Sequence, residues 1–383
     1  MEARKVAVAG VLMLLGAGDA GAVPQFSQRA FSQDARSSAP PPAALSAGEV
    51  LAILRRCLSQ QPDVRLSLYV GLHRAVTDMP HLAVDVLSVL EPHFSKYFDP
   101  DGAQRNPFRT SLCLEQQSGA QGVHTLVEPL PQLLAVVCRC VSVSSAQAGA
   151  ASDARLQHLG GALREACARL SRAELDDFGL SRASDMNPAT AAGSRNLMTA
   201  ATIVCCIEVL MEFVFSGGER SMESCNLIVA LFHRRDALMA LARDAHAAPA
   251  AAPATAAATA TAATAADAHI NSGVHSIEFA AAFCRFMFSD NDPHNLSAQN
   301  VLRAEKPLLR MAAGLAVQCP DTAPALDAPM PDRVFVNACL LGRTLVHDVA
   351  MAQQMRVAST GPAAKEKVRA LLFYLREANN KTF

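Results

Sequence analysis

Apolar residues recur along most of this chain at intervals of three and four, the spacing that places side chains on one face of an α-helix. Ser46 and Glu49 form a capping-box pair before such a stretch, and a second pair, Ser171 and Glu174, predicts another helix start. No stretch alternates apolar and polar residues between turn residues, as a strand would. The pattern therefore predicts an all-α fold. The predicted helices cover residues 46–58, 62–76, 81–94, 129–144, 153–170, 194–215, 220–244, 274–289, 296–318, 331–356 and 363–379.

The connections between most predicted helices are short, so consecutive helices are expected to pack antiparallel. No fixed repeat is visible, which favours an irregular α-solenoid or helical-repeat bundle of antiparallel helix pairs. Residues 99–122 carry Pro and Gly and predict a loop. Residues 24–45, rich in Pro, Ser, Ala and Gln, predict a flexible linker, and residues 247–268, almost wholly Ala and Thr, predict a low-complexity linker. Two helical regions are thus expected, at 46–246 and 269–383.

The first 23 residues fit two interpretations. Arg4 and Lys5, the apolar run Val6 to Leu15 and the small residues at 20–22 together resemble a secretory signal with a cleavage site. The alternative is a single amphipathic or buried helix. The run is too short to span a membrane, and the many free cysteines argue against secretion.

The composition supports a large core, because 51% of the 383 residues are hydrophobic. The net charge of −1 gives no general affinity for nucleic acid, so any DNA contact must come from a local patch. None of the eleven cysteines forms a Cys-x-x-Cys pair, so we expect no structural zinc site. Most lie in apolar helical context, where a free thiol behaves as a small buried hydrophobe, which indicates a reducing compartment.

No phosphate-binding Gly-rich loop, nucleophile elbow or zinc-protease helix motif is found. We therefore predict a protein that is not an enzyme, with no catalytic residues, no metal site and no cofactor. Glu174, Asp176 and Asp177 form an acidic cluster that we interpret as a solvated turn rather than a catalytic pair. The basic run at 233–235 would suit a phosphate, but such a run is more often a solvated helix face.

Ser-Gln pairs occur at Ser27 and Ser32, inside the predicted linker. Ser-Gln pairs in disordered sequence are substrates of DNA-damage checkpoint kinases, which need an extended, accessible segment. Each phosphate would add about −1.5 to −2 charges and three strong acceptors. A third pair, at Ser59, falls at a predicted helix end, and we interpret it as structural.

Collinear blocks along the chain are similar to one known family. The blocks are Leu54–Leu66 with Leu68–Gly71, Glu128–Leu130 before Leu133, Glu174–Phe178, Glu208–Phe213 and, more loosely, Ser297–Arg303. In this order and at these spacings they resemble the central portion of the Fanconi anaemia group I protein family. The resemblance implies the end of its second solenoid, its helical domain 2 and the start of its third solenoid.

The resemblance also gives the N-terminal residues a role. The segment Ala3–Gly10 is similar to the family segment that holds a ubiquitin-acceptor lysine, which implies that Lys5 is the acceptor. Ser27 and Ser32 match the family's phosphorylated Ser-Gln cluster downstream of that lysine. Residues 1–23 would then be the last helix of a preceding solenoid segment. Lys5 is one of only six lysines in the chain.

For function, the resemblance implies a non-enzymatic scaffold of the clamp that repairs DNA interstrand crosslinks. It would be regulated by attachment of one ubiquitin and by checkpoint phosphorylation. The implied partners are the paralogous Fanconi D-two subunit, as a heterodimer, ubiquitin with the Fanconi ubiquitin ligase, a checkpoint kinase, and double-stranded or branched DNA in the complete complex. The implied location is the nucleus, with no membrane contact.

Departures from the family pattern leave two alternatives open. The chain is much shorter than the usual family member, Ser142 to Ala151 stands where animal members have an acidic run, and the Ala/Thr stretch replaces a basic segment. One alternative is therefore a generic α-helical repeat adaptor for protein partners that has no ubiquitin switch. The other is a secreted helical enzyme or binding protein from which residues 1–22 are cleaved.

Overall fold

The structure is a computed structural model in which nine α-helices can be described. Its described residues are 2–17, 47–102, 104–116, 124–146, 154–217, 220–247, 279, 282–283, 286, 296–305 and 308. Short 3-10 turns extend or connect several of the helices, at Arg56–Ser59, Pro80–Leu82, Thr110–Cys113 and Leu175–Phe178. The helices are α1 Glu2–Ala17, α2 Ala47–Arg55, α3 Pro62–Asp78, α4 Ala83–Phe94, α5 Leu130–Ala146, α6 Ala154–Ser171, α7 Ala191–Ser216, α8 Met222–Ala247 and α9 Leu296–Ala304. The predicted all-α class is confirmed.

A two-stranded sheet interrupts the helices where only a loop was expected. Strand β1, Leu114–Gln116, pairs antiparallel with β2, His124–Leu126, and Leu114 lies opposite Leu126. An isolated bridge also joins Phe98 to Phe108. The prediction of no strand was therefore wrong in this stretch. Strands of three residues are too short to show the alternation on which a strand prediction depends.

The chain forms two compact units. Unit 1 consists of residues 1–166 and 187–202, and unit 2 consists of residues 167–186 and 203–383. The boundaries fall within α6 and α7, so each of these helices contributes residues to both units.

In unit 1, α3 packs against α1 and α5, and α4 packs against α5. Arg65, early in α3, contacts Glu128 just before α5, and Thr77, late in α3, contacts Arg139 further along α5. Helices α3 and α5 therefore run in the same direction. His93, near the end of α4, also contacts Glu128, so α4 runs antiparallel to α5. This alternation agrees with the predicted antiparallel helix pairs.

Helix α3 shows why this local sequence is helical. Pro62 occupies the first turn, where backbone N–H groups have no partner within the helix, so the missing N–H of proline costs no hydrogen bond. The buried side chains then follow helical spacing, which puts one apolar stripe towards the core. They are Val64, Leu68, Tyr69, Leu72, Ala75 and Val76.

The N-terminal apolar run forms α1, which lies against α3. Val8 and Leu15 are buried, whereas Val6 and Met13 are well exposed. The side chain of Leu12 lies directly over Gly71 of α3. Residues 2–17 therefore adopt the packed helix that was one of the two interpretations of this segment.

Unit 2 contains an aromatic cluster near the end of α7. Phe215 makes edge contacts with Phe279, Phe283 and Phe286, with ring centroids 5.3–5.7 Å apart. The Arg220 guanidinium lies 4.9 Å from the centre of the Phe215 ring, within the range of a cation–π contact. In the same unit, α9 packs against α8.

Helix α7 is apolar along most of its 26 residues. Within the described part of the chain it alone has the length and composition to cross a membrane, but 78% of its most apolar window is buried. The structure therefore uses α7 as a core helix.

The cysteines behave as their apolar context predicted. Within the described ranges eight cysteines are free; seven of them are buried, and Cys57 is partly exposed. The predicted linker at 24–45, the Ala/Thr stretch beyond Ala247, the predicted helices at 331–356 and 363–379, and the Ser46 cap lie outside the described residues.

Candidate functional site

Lys5 is the fourth residue of α1 and lies on the side of the helix that faces α3. Its Nζ atom is 3.2 Å from Oε1 of Glu2, one turn earlier, and 3.6 Å from Oδ2 of Asp63 in the first turn of α3. The Lys5 side chain keeps 32% of its accessible surface. The hydrogen bond with Glu2, together with the negative charges of Glu2 and Asp63, raises the pKa of the Lys5 amine above its usual value. Lys5 is therefore a partly exposed, ion-paired amine.

A second polar contact fixes the same edge of α1. Arg4 Nη1 donates a hydrogen bond of 3.1 Å to Oε1 of Gln60, in the connection that precedes α3. Ser59 ends a 3-10 turn and donates its hydroxyl proton to the Arg56 carbonyl, which fits a structural role. Ser27 and Ser32 lie outside the described residues.

Around Glu128, the structure brings together a group that we did not predict. Its fully buried carboxylate accepts hydrogen bonds from Arg65 Nη1 at 2.5 Å and from the Tyr69 hydroxyl at 2.8 Å. His93 Nε2 lies 3.0 Å from the same carboxylate. Burial, followed by the Glu128 charge, raises the pKa of nearby Tyr97 to about 12. We call Glu128, Arg65, Tyr69 and His93 the Glu128 cluster.

Helix geometry positions the Glu128 cluster. Arg65 and Tyr69 are four residues apart on α3 and so share one face. Arg65 also donates to the Val127 carbonyl, while its Nε atom is buried without a hydrogen-bond partner. A buried charge is costly unless it is paired, so the Glu128 carboxylate requires these partners. Because the partners come from α3 and α4, the cluster connects these two helices to the start of α5. Arg65 and Glu128 both fall in blocks that carried the family resemblance, but nothing local in the sequence shows that they touch.

A second buried ion pair lies in unit 2. Arg235 Nε of α8 donates to Oε1 of Glu208 on α7 at 2.7 Å, and Glu208 is almost completely buried. Arg234 donates to the Ser171 carbonyl, while exposed His233 lies 3.6 Å from Glu305. The prediction of a solvated face at 233–235 was therefore wrong for both arginines, which bind within the protein.

The acidic cluster forms a capped turn, with the cap three residues later than predicted. Helix α6 continues to Ser171, and the capping box instead pairs Glu174 with Asp177 around the 3-10 turn Leu175–Phe178. Gly179 follows with φ of 70°, a conformation that glycine adopts without strain.

This turn and α8 line a cavity of about 420 Å³ in unit 2. Its lining combines apolar Phe178 with Glu174 and the two arginines Arg182 and Arg234. No group of three His, Cys, Asp or Glu side chains within the described ranges is placed to bind a metal ion.

Comparison with known proteins identifies the family. The family model described as FANCI helical domain 2 matches residues 24–243. The Fanconi anemia group I protein of Gallus gallus is 26% identical over 315 residues, covering 78% of this chain and 22% of that protein. The Mus musculus homolog is 25% identical over 354 residues, covering 88% of this chain and 25% of the homolog. The chain therefore spans about a quarter of the length of these curated relatives. Because the family model covers more than half of its residues, this chain belongs to the Fanconi anaemia group I protein family.

Proposed function

We propose that this chain is a non-catalytic helical scaffold that acts in the repair of DNA interstrand crosslinks. The observation that carries the proposal is the match of residues 24–243 to one domain of the family. The packing supports it, since the two buried ion pairs, Arg65–Glu128 and Arg235–Glu208, join helices rather than line an open site. Charged side chains in such buried pairs stabilise the packing of the helices and are not free to bind or activate a substrate.

Regulation is proposed to act on the N-terminal part of the chain. Lys5 would accept one ubiquitin, and Ser27 and Ser32 would accept phosphates from a checkpoint kinase. The partial exposure of the Lys5 side chain supports this role, because a ligase must reach the amine. Each phosphate would change the local charge by about −1.5 to −2.

Family membership suggests the partners that we propose. They are the paralogous Fanconi D-two subunit, the Fanconi ubiquitin ligase, a checkpoint kinase and DNA, all in the nucleus. Phosphates would bias an equilibrium between open and closed forms of the heterodimer, and ubiquitin would add an interface that stabilises the closed form.

Mass spectrometry after treatment with a crosslinking agent tests this function. The protein should be recovered from treated cells with ubiquitin on Lys5 and phosphate on Ser27 and Ser32. Lys5→Arg should abolish the ubiquitin and sensitise cells to the agent. Lys96→Arg, a matched change at an exposed lysine of unit 1, should do neither. Ubiquitin at another lysine, with Lys5→Arg harmless to repair, would contradict the proposal.

A further inference from the structure

Two carboxylates lie within ion-pair distance of the Lys5 amine. Glu2 and Asp63, which we call the carboxylate pair, approach Nζ from two different helices at 3.2 and 3.6 Å. Glu2 comes from the same helix, whereas Asp63 reaches the amine only because α1 lies against α3. The contact with Asp63 is therefore a property of the folded unit.

The position of Asp63 gives its charge a second effect. Asp63 lies in the first turn of α3, which begins at Pro62. The N-terminus of a helix carries a partial positive charge, which disfavours a nearby cation. The Asp63 carboxylate neutralises that field at the point where Lys5 approaches. Without it, the ammonium form of Lys5 would lose an ion pair and face the helix N-terminus directly.

Further charged groups lie on the elements that pack around α1. Arg4 of α1 is hydrogen-bonded to Gln60. On α2 and the turn that follows it, Glu49, Arg55 and Arg56 are exposed. Among the described residues, the carboxylate pair is in ion-pair contact with Lys5, with Glu2 on α1 itself and Asp63 on α3.

We propose that the carboxylate pair restrains the Lys5 amine, holding it protonated and ion-paired until a ligase displaces Glu2 and Asp63. The restraint keeps Lys5 less reactive than an ordinary surface lysine, so modification depends on the enzyme that opens the contact. The role in ubiquitin transfer rests on the proposed function of Lys5 as the acceptor. Glu2 and Asp63 are positioning residues and do not take part in the bond changes.

The chemistry explains why the ion pairs matter. The ammonium group first loses a proton to water, which leaves a lone pair on Nζ. That lone pair attacks the carbonyl carbon of a ubiquitin thioester, the C–S bond breaks, and the conjugating enzyme's cysteine departs as a thiolate. A second proton leaves the nitrogen for solvent, and an amide bond remains. Both carboxylates stabilise the ammonium reactant and disfavour the first step.

Competitive acetylation tests the restraint without any ubiquitin enzyme. The whole protein is treated with a limiting dose of sulfosuccinimidyl acetate across a pH series, and mass spectrometry compares acetylation at Lys5 with that at exposed Lys96. Asp63→Asn keeps the shape of the side chain and removes its charge. It should raise the acetylation rate of Lys5 about two- to fivefold relative to that of Lys96, because a single exposed ion pair changes an equilibrium constant by about that factor. The pH midpoint for Lys5 should move down, and Glu2→Gln should act in the same direction.

Gln60→Ala is the matched control, because it removes the Arg4 contact at the same edge of α1 and leaves both carboxylates in place. In this variant, the acetylation rate of Lys5 and the pH midpoint of its acetylation should equal those of the protein without substitutions. An equal rise in Gln60→Ala would show that loosening of α1, not charge, sets the reactivity, and would overturn the proposal. No change in Asp63→Asn would overturn it as well.

Ubiquitin transfer is then measured with the full-length protein, its paralogous partner, and the conjugating enzyme and ligase. Asp63→Asn should accelerate transfer to Lys5 at neutral pH, and the advantage should shrink as pH rises. Slower transfer would overturn the restraint, because it would mean that Asp63 assists the reaction. Transfer to a different lysine in the unmodified protein would defeat the proposed acceptor role alone, and acetylation would still report the ion pairs.

Discussion

Two carboxylates of this protein have different roles because their surroundings differ. Glu128 is fully buried and accepts hydrogen bonds from α3, whereas Asp63 lies at the surface beside a lysine. Exposed ion pairs contribute little to stability, but breaking a buried pair leaves an uncompensated charge. The Glu128 cluster is therefore expected to dominate the stability of unit 1.

The exchange Glu128→Gln removes the charge and keeps the shape of the side chain. It should lower the free energy of unfolding by about 3–5 kcal/mol, because Arg65 loses its buried partner. Urea denaturation measures this change. Glu115→Gln, at an exposed position of β1, serves as the control and should stay within about 0.5 kcal/mol. A loss below about 1 kcal/mol for Glu128→Gln would show that the cluster does not support the fold.

Buried thiols make stability depend on alkaline pH. Burial raises the pKa of the Cys140 thiol to about 12 and that of the Cys225 thiol to about 11, above the usual value for a cysteine of about 9. Well below pH 9 both the folded and the unfolded chain hold these protons, so no pH dependence arises. Between about pH 9 and 11 the unfolded chain loses the protons and the folded chain keeps them, so stability falls as pH rises.

We expect Cys140 to contribute a loss of about 1–2 kcal/mol of stability between pH 8.5 and 10.5. Thermal unfolding followed by circular dichroism over this range measures the effect. Cys140→Ala should be less stable at pH 8.5 but should show a shallower decline towards pH 10.5. Identical declines in both proteins would contradict the assignment.

Among the elements, α1 depends most on a single close contact. Gly71 gives α3 a gap in its surface, and the Leu12 side chain occupies that gap. Lys5 contacts Asp63 near the start of both helices, and Leu12 contacts Gly71 further along both helices. Helices α1 and α3 therefore run in the same direction. The position of the Lys5 amine therefore depends on how α1 packs.

A pair of Gly→Ala exchanges tests this packing. In an open helical position the exchange stabilises by about 1 kcal/mol, which is expected for Gly161 of α6, where a new Cβ meets nothing. At Gly71 the new Cβ would collide with Leu12, and overpacking costs about 1–3 kcal/mol. Gly71→Ala should therefore lose stability and accelerate hydrogen exchange in residues 2–17, measured by mass spectrometry. Equal stabilisation by both exchanges would show that α1 does not pack at Gly71.

At the scale of the molecule, unit 2 joins parts of the chain on both sides of the Ala/Thr stretch. Phe215 on the N-terminal side contacts Phe279, Phe283 and Phe286 on the other, and α8 packs against α9. Phe283 is fully buried. The aromatic cluster of unit 2 is therefore built from phenylalanines on both sides of residues 247–268, a stretch whose sequence contains no Phe, Tyr or Trp.

Deleting residues 254–265 should leave unit 2 folded. The cost of closing a loop changes by only about 0.6 kcal/mol for each doubling of its length, so the free energy of unfolding should change by less than about 1 kcal/mol. Phe283→Ala, in contrast, should cost about 3–5 kcal/mol. Both are measured by chemical denaturation. A deletion as damaging as Phe283→Ala would show that the Ala/Thr stretch contributes to the core.

Helices could be predicted because their causes are local. The spacing of apolar residues, the Pro62 start and Gly217 after α7 act within a few residues, and for α2 to α8 the predicted and observed helix ends differ by only a few residues. The exception is α9, which ends at Ala304 with a non-helical Glu305, inside the predicted helix 296–318. The three-residue strands and the shifted cap at Glu174 escaped prediction, since β1 pairs with a segment beyond a loop and the cap depends on where α6 ends.

The sequence by itself determined the helical class, the burial of seven of the eight described cysteines and, through its collinear blocks, the family. It also identified Lys5 as a candidate. Only the tertiary structure decided the partners of the charges: Arg65 reaches Glu128 across 63 residues, Arg235 reaches Glu208 across 27, and Lys5 meets Asp63 between helices. The reason is physical. Helix formation follows from neighbouring residues, whereas an ion pair forms only where packing places two particular helix faces together and removes water from between them.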